Sequence, residues 1–553
     1  MTNHQISDHF SLLSKLMDIH GEDSFRAKSY GVAAYNIDKL PKEATDMDDA
    51  ELFSQRGIGN GTGQKIRELI ETGKMEALED ILAKTPPGIL EMMQIKGLGP
   101  KKIALVWKEM GIETVGELEY ACNENRLMTY KGFGAKTQAS ILENIAFIRA
   151  NQNFHLWAEV ESTANTLING LSKINAGDRF VLAGDMRRQM PTLECIDIVT
   201  DGDGALIKQQ FGVTQGVSIE DEDNNKILVH APNQPAIRLH IANKENFYTT
   251  LFNNSCSEAF LTEFNKQYTL PENPTSEEAI FEHNQLQYIP PAQRENPNIL
   301  TQAAQQNLAQ LIEAKDIKAI IHSHSKWSDG MNTIEQMAKA AIEKGYEYLV
   351  LSDHSQSAFY ANGLTPERIA EQHAEIDALN EKLAPFRIFK SIEADILNDG
   401  NLDYNDKVLS TFDLVIASVH SNLKMSEEKA MQRVLTAIRN PYTTILGHPT
   451  GRLLLSREGY PLNHKIIIDE CVKHNVVIEI NAHPRRLDLD WTHIAYAIEK
   501  GALLSINPDA HSVEGYHDVY YGTLAAQKGG LTAKQNLSSF SLKEFEAFLN
   551  KRS

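Results

Sequence analysis

The alternation of apolar and polar positions changes character along this 553-residue chain. Up to about residue 150 the apolar residues recur at three- and four-residue spacing, which predicts helices throughout. Three stretches there share one form: RGIGNGTGQKIREL (56–69), IKGLGPKKIALVW (95–107) and YKGFGAKTQASIL (130–142). Each is a Gly-apolar-Gly turn followed by an amphipathic helix. From residue 315 onward, short apolar runs alternate with amphipathic stretches, the pattern of a βα array. The runs are AIIHSH (319–324), YLVLSDH (348–354), IFKSIEADI (388–396), DLVIASVH (413–420), TTILGHP (443–449), VVIEINAH (476–483) and LLSINPDAH (503–511). Helical spacing fills 331–345, 426–440 and 464–475 between them. The intervening region is mixed. Its clearest feature is an apolar strand at 192–199, which follows two adjacent arginines in GDMRRQMPTLECIDIV.

A chain of this length predicts three or four domains, each with its own core. Hydrophobic residues make up 42% and charged residues 23%, the balance of an ordinary soluble protein. No apolar run approaches the ~18–20 residues of a membrane span, and MTNHQISDHF lacks the features of a signal peptide. The four cysteines are scattered with no CxxC pair, which speaks against a disulfide framework or a thiolate zinc site and fits a reducing cytosol. Net charge is −20, of which −4 falls on residues 1–150 and −16 on the rest. Such a chain has no global positive field, so any contact with nucleic acid rests on local devices.

The glycine hairpins are one such device. Gly57/Gly59, Gly97/Gly99 and Gly132/Gly134 allow a tight turn, and the helix that follows presents free N–H groups and a positive dipole end to a phosphate. Lys101, Lys102 and Lys136 fall in first turns, where they can flank that phosphate. This contact reads backbone and not bases. A single Gly-x-Gly turn is as readily a plain helix connection; three copies, each opening a helix, favour phosphate binding.

Almost every apolar run of the C-terminal region finishes in a His, Asp or Glu. Parallel barrel strands converge at their C-terminal ends. That brings together His322, His324, Glu393, His420, His448, Asp509 and His511, with Asp329 and His354 from the adjoining loop and second strand end. One such histidine is usually a satisfied polar residue, whereas nine in register point to metal. Imidazole and carboxylate without thiolate suit Mn²⁺, Zn²⁺ or Fe²⁺ and do not choose among them. Clustered metals activate water, neutralise phosphate oxygens and stabilise a leaving alkoxide, which is phosphoesterase chemistry. Arg452, Arg485 and Arg486 lie just past strand ends as candidate phosphate or DNA contacts, Arg452 foremost.

The three hairpins resemble helix-hairpin-helix motifs. With FRAKSYGVAAYNIDKLP (25–41) before the first, their order resembles the N-terminal region of bacterial family X DNA polymerases. That resemblance implies that a nucleotidyltransferase palm follows, where a Gly-Ser pair and arginines hold a triphosphate and three aspartates hold two magnesium ions. AGDMRRQMPTLECIDIV is similar to this in place and spacing, making Arg187 and Arg188 the candidate phosphate contacts and Asp197 a catalytic remnant. The departures are Asp185 for the serine, Cys195 for the first metal aspartate and Arg238 for the third. NNSCSEAF (253–260) keeps only Ser255 of the sugar-binding turn. One carboxylate beside an arginine lacks the oxygen ligands that Mg²⁺ needs, so no Mg²⁺ is expected at the palm. YIPPAQRENPN (288–298) resembles the segment after the family's thumb.

Downstream, HSHSKWSDG, SDHS, EADILNDGNLDY, SVHSNL, GHPTGR and NPDAHS resemble the PHP domain, a distorted (β/α)₇ barrel binding up to three metals. The resemblance places one ion on His322, His324, Glu393 and Asp509. A second is shared by Glu393 with His420 and His448, and a third lies on Asp329, His354 and His511. IIH replaces the usual DLH, and His483 replaces the usual Asn.

The implied architecture is multidomain. It has all-α helix-hairpin-helix domains at 1–85 and 86–150, an α+β degenerate palm at 151–255, a thumb-like segment and linker at 256–314, and an α/β PHP barrel at 315–553. The implied function is DNA repair by metal-dependent 3′–5′ exonuclease action, with abasic-site incision as a further option and polymerase activity lost. A bifunctional gap-filling polymerase/exonuclease, a small-molecule phosphatase and a non-enzymatic DNA-binding scaffold stay open as alternatives. The expected partner is gapped or primer-terminus DNA, bound without sequence preference by a monomer in the bacterial cytoplasm, at the nucleoid.

Overall fold

The computed structural model describes residues 1–551 except 124, 125, 152, 224 and 233. It divides into two compact units, 1–152 and 153–553. Among the described residues, no helix is long and apolar enough to cross a membrane.

The first unit is helical, as its periodicity predicts. Helices α1 (Asn3–His20) and α2 (Ser24–Asp38) pack along each other, and α1 opens on a capping box at Thr2. Helices α3 (Asn60–Thr72), α4 (Pro100–Lys108) and α5 (Ala135–Asn151) follow the three glycine turns. Gly57, Gly97 and Gly132 take φ of 78°, 87° and 99°, a region costly for residues with a Cβ. The apolar residues between the glycine pairs, Ile58, Leu98 and Phe133, turn inward and are buried. Their burial contributes roughly 2 kcal/mol each and fixes the turn against the bundle. One core runs from Ile6 to Ile145 without a break at 85–86.

The second unit contains a five-stranded and a seven-stranded sheet, besides a short antiparallel pairing of His155–Leu156 with Thr192–Leu193. Strands β1 (Phe180–Leu182), β2 (Cys195–Thr200), β3 (Ser218–Asp223), β4 (Lys226–His230) and β5 (Ala236–Ile241) form a sheet in the order β1-β2-β5-β4-β3. β2 and β5 are parallel neighbours with Asp197 opposite Arg238, so the two strands expected to carry the palm carboxylates do lie side by side. Phe252 joins Phe260, Phe264 and Phe281 of the 256–314 segment in a separate aromatic core.

Strands β6 (Ala319–Ile320), β7 (Tyr348–Leu351), β8 (Arg387–Asp395), β9 (Leu414–Ser418), β10 (Thr443–Leu446), β11 (Val477–Asn481) and β12 (Leu504–Asn507) pair in sequence order, all parallel. A bridge between Ser323 and Ala510 joins the ends of the first and last strands, leaving a nearly closed barrel. Helices Ile334–Glu343, Glu427–Ile438 and His464–His474 occupy the predicted stretches. Several strands are shorter than their apolar runs. β6 ends before His322 and β12 before Asp509, because both residues adopt left-handed backbone, φ 65° and 53°. Such backbone in non-glycine residues is held only by its surroundings. Here the bond from His324 N–H to the Ala510 carbonyl, 2.8 Å, ties the two turns together.

Candidate metal centre and nucleic-acid interface

Glu393, on β8, is buried at the centre of the barrel's C-terminal face. Its Oε1 lies 3.0 Å from His448 Nε2, 3.1 Å from His420 Nε2 and 3.3 Å from His322 Nε2. Its Oε2 lies 3.0 Å from His354 Nδ1 and 3.7 Å from His324 Nε2. Asp509 Oδ1 stands 3.0 Å from His324 Nε2 and 3.4 Å from His322 Nε2. Asp329 Oδ1 stands 3.5 Å from His511 Nε2 and 3.7 Å from His354 Nε2. All nine sequence candidates therefore meet in one constellation.

Three groups bring ligand atoms close enough to share an ion: His324/Asp329/His354/His511, His322/His324/Asp509 and His354/Glu393/His420. His448 adjoins the last through Glu393. This grouping differs from the one the resemblance implies in that His324 and His354 each serve two groups. His322 Nε2, His324 Nδ1, His448 Nδ1 and Glu393 Oε2 are buried without a hydrogen-bond partner. Each buried polar atom left so costs about 1–3 kcal/mol. The imidazole and carboxylate donors gathered here are of the type that holds a divalent cation.

Charge is balanced tightly at this face. Burial opposes the charge on His322, but Glu479, Asp509 and Glu393 outweigh it and hold the imidazole well above its ordinary value. Burial likewise opposes charge on Glu393, and His420, His322 and His354 hold it well below the usual carboxylate range. His420, buried beside Glu393 and Asp395, is raised to about 10. His324 goes the other way, to about 3, through burial and then its neighbours His511 and His354.

A second set of carboxylates, unforeseen in the sequence, orients these ligands. Glu479 on β11 accepts from His322 Nδ1 at 2.6 Å, from Asn507 Nδ2 at 2.8 Å and from the His448 N–H at 3.0 Å. Asp395 pairs with His420 Nδ1 and accepts from Ser357 Oγ at 2.7 Å. Asn481 Nδ2 donates to Asp509 Oδ2 at 3.1 Å. Asp353 gathers the Ser325 and Ser328 amides and hydroxyls, holding the loop that carries Asp329. A carboxylate inside a β-branched run, as in VVIEIN, is the signal that marks Glu479. Because outer partners fix ring orientation, Glu479→Gln is expected to weaken metal affinity about 10–100-fold, measured by competition with a chelating dye.

The sequence-predicted arginines are placed otherwise. Arg452, expected to contact phosphate, instead pairs with Asp490 and donates to the Arg486 and Leu487 carbonyls. Its guanidinium braces a loop. Arg485 pairs with Glu159 at 2.8 Å.

In the five-stranded sheet, Asp197 is buried. Its Oδ1 faces His240 Nε2 at 2.7 Å and Arg238 Nη1 at 3.5 Å, and its Oδ2 accepts from Cys195 Sγ at 3.3 Å. Gly184 adjoins it because a Cβ there would lie 2.2 Å from Asp197 Oδ2. His240 was not foreseen, although it alternates with Arg238 along β5. Arg187 and Arg188, expected to contact phosphate, are both engaged within the protein. Arg187 pairs with Glu277 and donates to Ser255 Oγ at 2.9 Å. Arg188 pairs with Asp185 and, at 2.8 Å, with Glu295. Both guanidiniums are thus occupied by carboxylates of the protein itself. Glu222 lies 3.2 Å from Arg238 on the acidic strand β3.

In the helical unit, α3 and α4 begin at Gly59 and Gly99 with no side-chain cap. Their φ values, −89° and −74°, suit any residue, and nothing lies within 4 Å of where a Cβ would stand at Gly59, Gly99 or Gly134. The fold itself does not need glycine there; the open side leaves the helix N–H groups accessible. Arg26, Tyr30 and Lys65 flank the first turn in a shared groove. Lys101 and Lys136 are exposed beside theirs, whereas Lys102 bends back to the Gly97 carbonyl at 3.1 Å.

Tandem glycine-hairpin helices and a barrel carrying clustered histidines and carboxylates define a helix-hairpin-helix/PHP protein. Family models agree: a helix-hairpin-helix domain matches residues 1–75, a SAM-like helix-hairpin-helix tandem 89–146 and a PHP domain 321–483. The DNA polymerase/3′–5′ exonuclease PolX of Bacillus subtilis (strain 168) is 34% identical over 556 residues, covering 97% of each chain. The chain belongs to this bacterial PolX family of DNA polymerase/3′–5′ exonucleases. Probable phosphatases of Caldanaerobacter subterraneus subsp. tengcongensis and Photobacterium profundum are 28% and 27% identical over 169 residues, 29% of this chain and 60% and 62% of theirs.

Proposed function

We propose that this protein hydrolyses phosphodiester bonds of DNA in its PHP barrel, removing nucleotides from 3′ ends at gaps and primer termini, and that its palm does not polymerise. The observation that carries this reading is Glu393, one carboxylate within 3.0–3.7 Å of five imidazoles. His322, His324, Asp509 and Glu393 suit one divalent ion, Glu393, His420 and His448 a second, and Asp329, His354 and His511 a third. Such ions, when bound, supply an activated water and neutralise the phosphate's charge. The protein's own part is to hold the donors still. Glu479 and Asp395 fix the rings of His322 and His420, and Asn481 fixes Asp509. Ser325, Ser328 and Asp353 hold the Asp329 loop over the site.

DNA as the substrate follows from the open helix N-termini at Gly59, Gly99 and Gly134. The B. subtilis relative's printed activities support it. The protein acts as a monomer in the cytoplasm and contacts backbone only. Gly99→Asp keeps an allowed backbone and places a carboxylate against the phosphate. It is expected to weaken DNA binding about tenfold on every sequence tested, with Tm unchanged, in fluorescence anisotropy at fixed salt.

That relative's name also supports a second reading, a bifunctional polymerase/exonuclease. A 5′-labelled primer on a gapped template with Mn²⁺, with and without dNTPs, separates the two. Stepwise shortening that dNTPs do not reverse, lost in His322→Ala/His324→Ala, is the expected result. Primer extension by that variant supports the bifunctional protein instead. Turnover of free phosphomonoesters in preference to DNA supports the phosphatase chemistry named for the barrel's shorter relatives.

A further inference from the structure

Three groups beside the metal-type constellation have no part in it: Arg486, Arg457 and His483. They stand on the loops that follow β10 and β11, which form one wall of the barrel face. The Leu454 N–H donates to the Arg485 carbonyl at 2.6 Å, joining the loops. Asp488 accepts from the Thr450 N–H at 2.9 Å and the Gly451 N–H at 3.0 Å, and Arg452 clamps the Arg486 and Leu487 carbonyls. The wall is rigid and its shape is set by buried bonds.

Of its cations, Arg452 and Arg485 are paired with Asp490 and Glu159. Arg486 makes a longer ion pair with the candidate ligand Asp509, whose Oδ2 is 3.6 Å from its Nε, beyond hydrogen-bond range. Arg457 donates to the Gly451 carbonyl, at 3.0 and 2.7 Å, and among the described residues it has no carboxylate partner. Both side chains are half-buried. They are also neighbours: burial, and then the Arg486 charge, hold Arg457 below its ordinary value.

His483 supplies a third donor. The Arg485 N–H donates to His483 Nδ1 at 3.2 Å, so the neutral ring carries its proton on Nε2. Its charged neighbours include Asp509, Arg486, His511 and Arg485, which puts it near both the metal-type cluster and Arg486. Two like charges in one half-buried wall, with only Asp509 set against them at 3.6 Å, leave donor capacity for a further anion.

We propose that Arg486, Arg457 and His483 form a phosphate-binding subsite beside the metal centre, which grips phosphate oxygens of the DNA strand, with Arg486 on the phosphate under attack and Arg457 on its outer side. This rests on the phosphodiesterase reading and names its substrate contacts. The same groups bind the free phosphate oxyanion, so inorganic phosphate is the probe.

The experiment uses full-length protein loaded with Mn²⁺. Phosphate binding is measured by calorimetry, Mn²⁺ content by elemental analysis, and hydrolysis of a 5′-labelled strand by steady-state kinetics. Arg457→Met is expected to weaken phosphate binding and raise KM about tenfold, with kcat within about threefold. Arg486→Met is expected to lower kcat/KM on the order of 10²-fold, with Mn²⁺ content unchanged. Arg457→Lys and Arg486→Lys keep the charge, are available if a methionine variant fails to fold, and are expected to recover part of each loss. Unchanged phosphate affinity in both methionine variants overturns the proposal. So does loss of Mn²⁺ from Arg486→Met with phosphate affinity intact, which makes Arg486 a support for Asp509 alone. A wild-type protein that cuts no DNA sinks the phosphodiesterase reading, while the phosphate titrations decide the subsite separately.

Discussion

Glu393→Gln is expected to abolish DNA hydrolysis, by on the order of 10³-fold or more, and to remove the protein's response to divalent metal. The amide is nearly the size of the carboxylate, so packing is preserved and only charge and ligand character change. Among the described residues, Glu393 is the one carboxylate that faces His322, His324, His354, His420 and His448 together. Without its charge, two of the three ligand groups lose an anionic donor or the bridge between them. Hard and borderline divalent ions depend on that donor. The readout independent of activity is thermal: an ion at 100 times its Kd stabilises the folded state by about 2.7 kcal/mol. Wild-type protein should therefore gain several degrees in Tm on adding Mn²⁺, and Glu393→Gln should gain almost none. A variant that keeps both the metal-induced shift and the exonuclease would remove Glu393 from the centre of the chemistry and the proposed function with it.

Much of this centre was legible in the sequence because a parallel strand gives a reliable address. A His or Asp that ends an apolar run must arrive at the same face as its six counterparts, whatever lies between them. The glycine hairpins were legible for a related reason, since Gly57, Gly97 and Gly132 need their positive φ. Partners were not legible. Glu479 lies inside a strand and reads as an interruption of its apolar run, and only the fold brings it to His322. Arg452 and Arg486 are both loop arginines with similar flanks, yet one braces carbonyls and the other faces Asp509. Arg187 and Arg188 have the same difficulty. Their partners Glu277 and Glu295 come from a segment about 90 and 107 residues onward, a separation that local pattern cannot span.

Asp197→Ala is expected to destabilise the protein by about 3 kcal/mol and to leave DNA hydrolysis unchanged. The sign of the stability change is the informative part. Carboxylates of a working two-metal site repel one another, so removing one is often neutral or stabilising. Here Asp197 is enclosed by His240, Arg238 and the Cys195 thiol, and its loss removes the counter-charge on the buried side of Arg238. Glu222 offsets part of this from the outer side, which keeps the expected cost below that of an isolated buried pair. The pH dependence has a definite direction. Burial raises the Asp197 carboxyl, but the hydrogen bond and charge of His240, with Arg238, outweigh it and lower the value below its ordinary 3.8. A depressed folded-state value means the stabilisation is full above the unfolded carboxylate value of ~3.9 and is lost as pH falls through the lower folded one. The gap between wild type and Asp197→Ala in urea denaturation should therefore be level from pH 7 to about 5 and close below about 4. An alanine variant as stable as wild type, together with dNTP incorporation by the wild type in Mn²⁺, would mean that Asp197 is still a metal ligand and that the palm still polymerises.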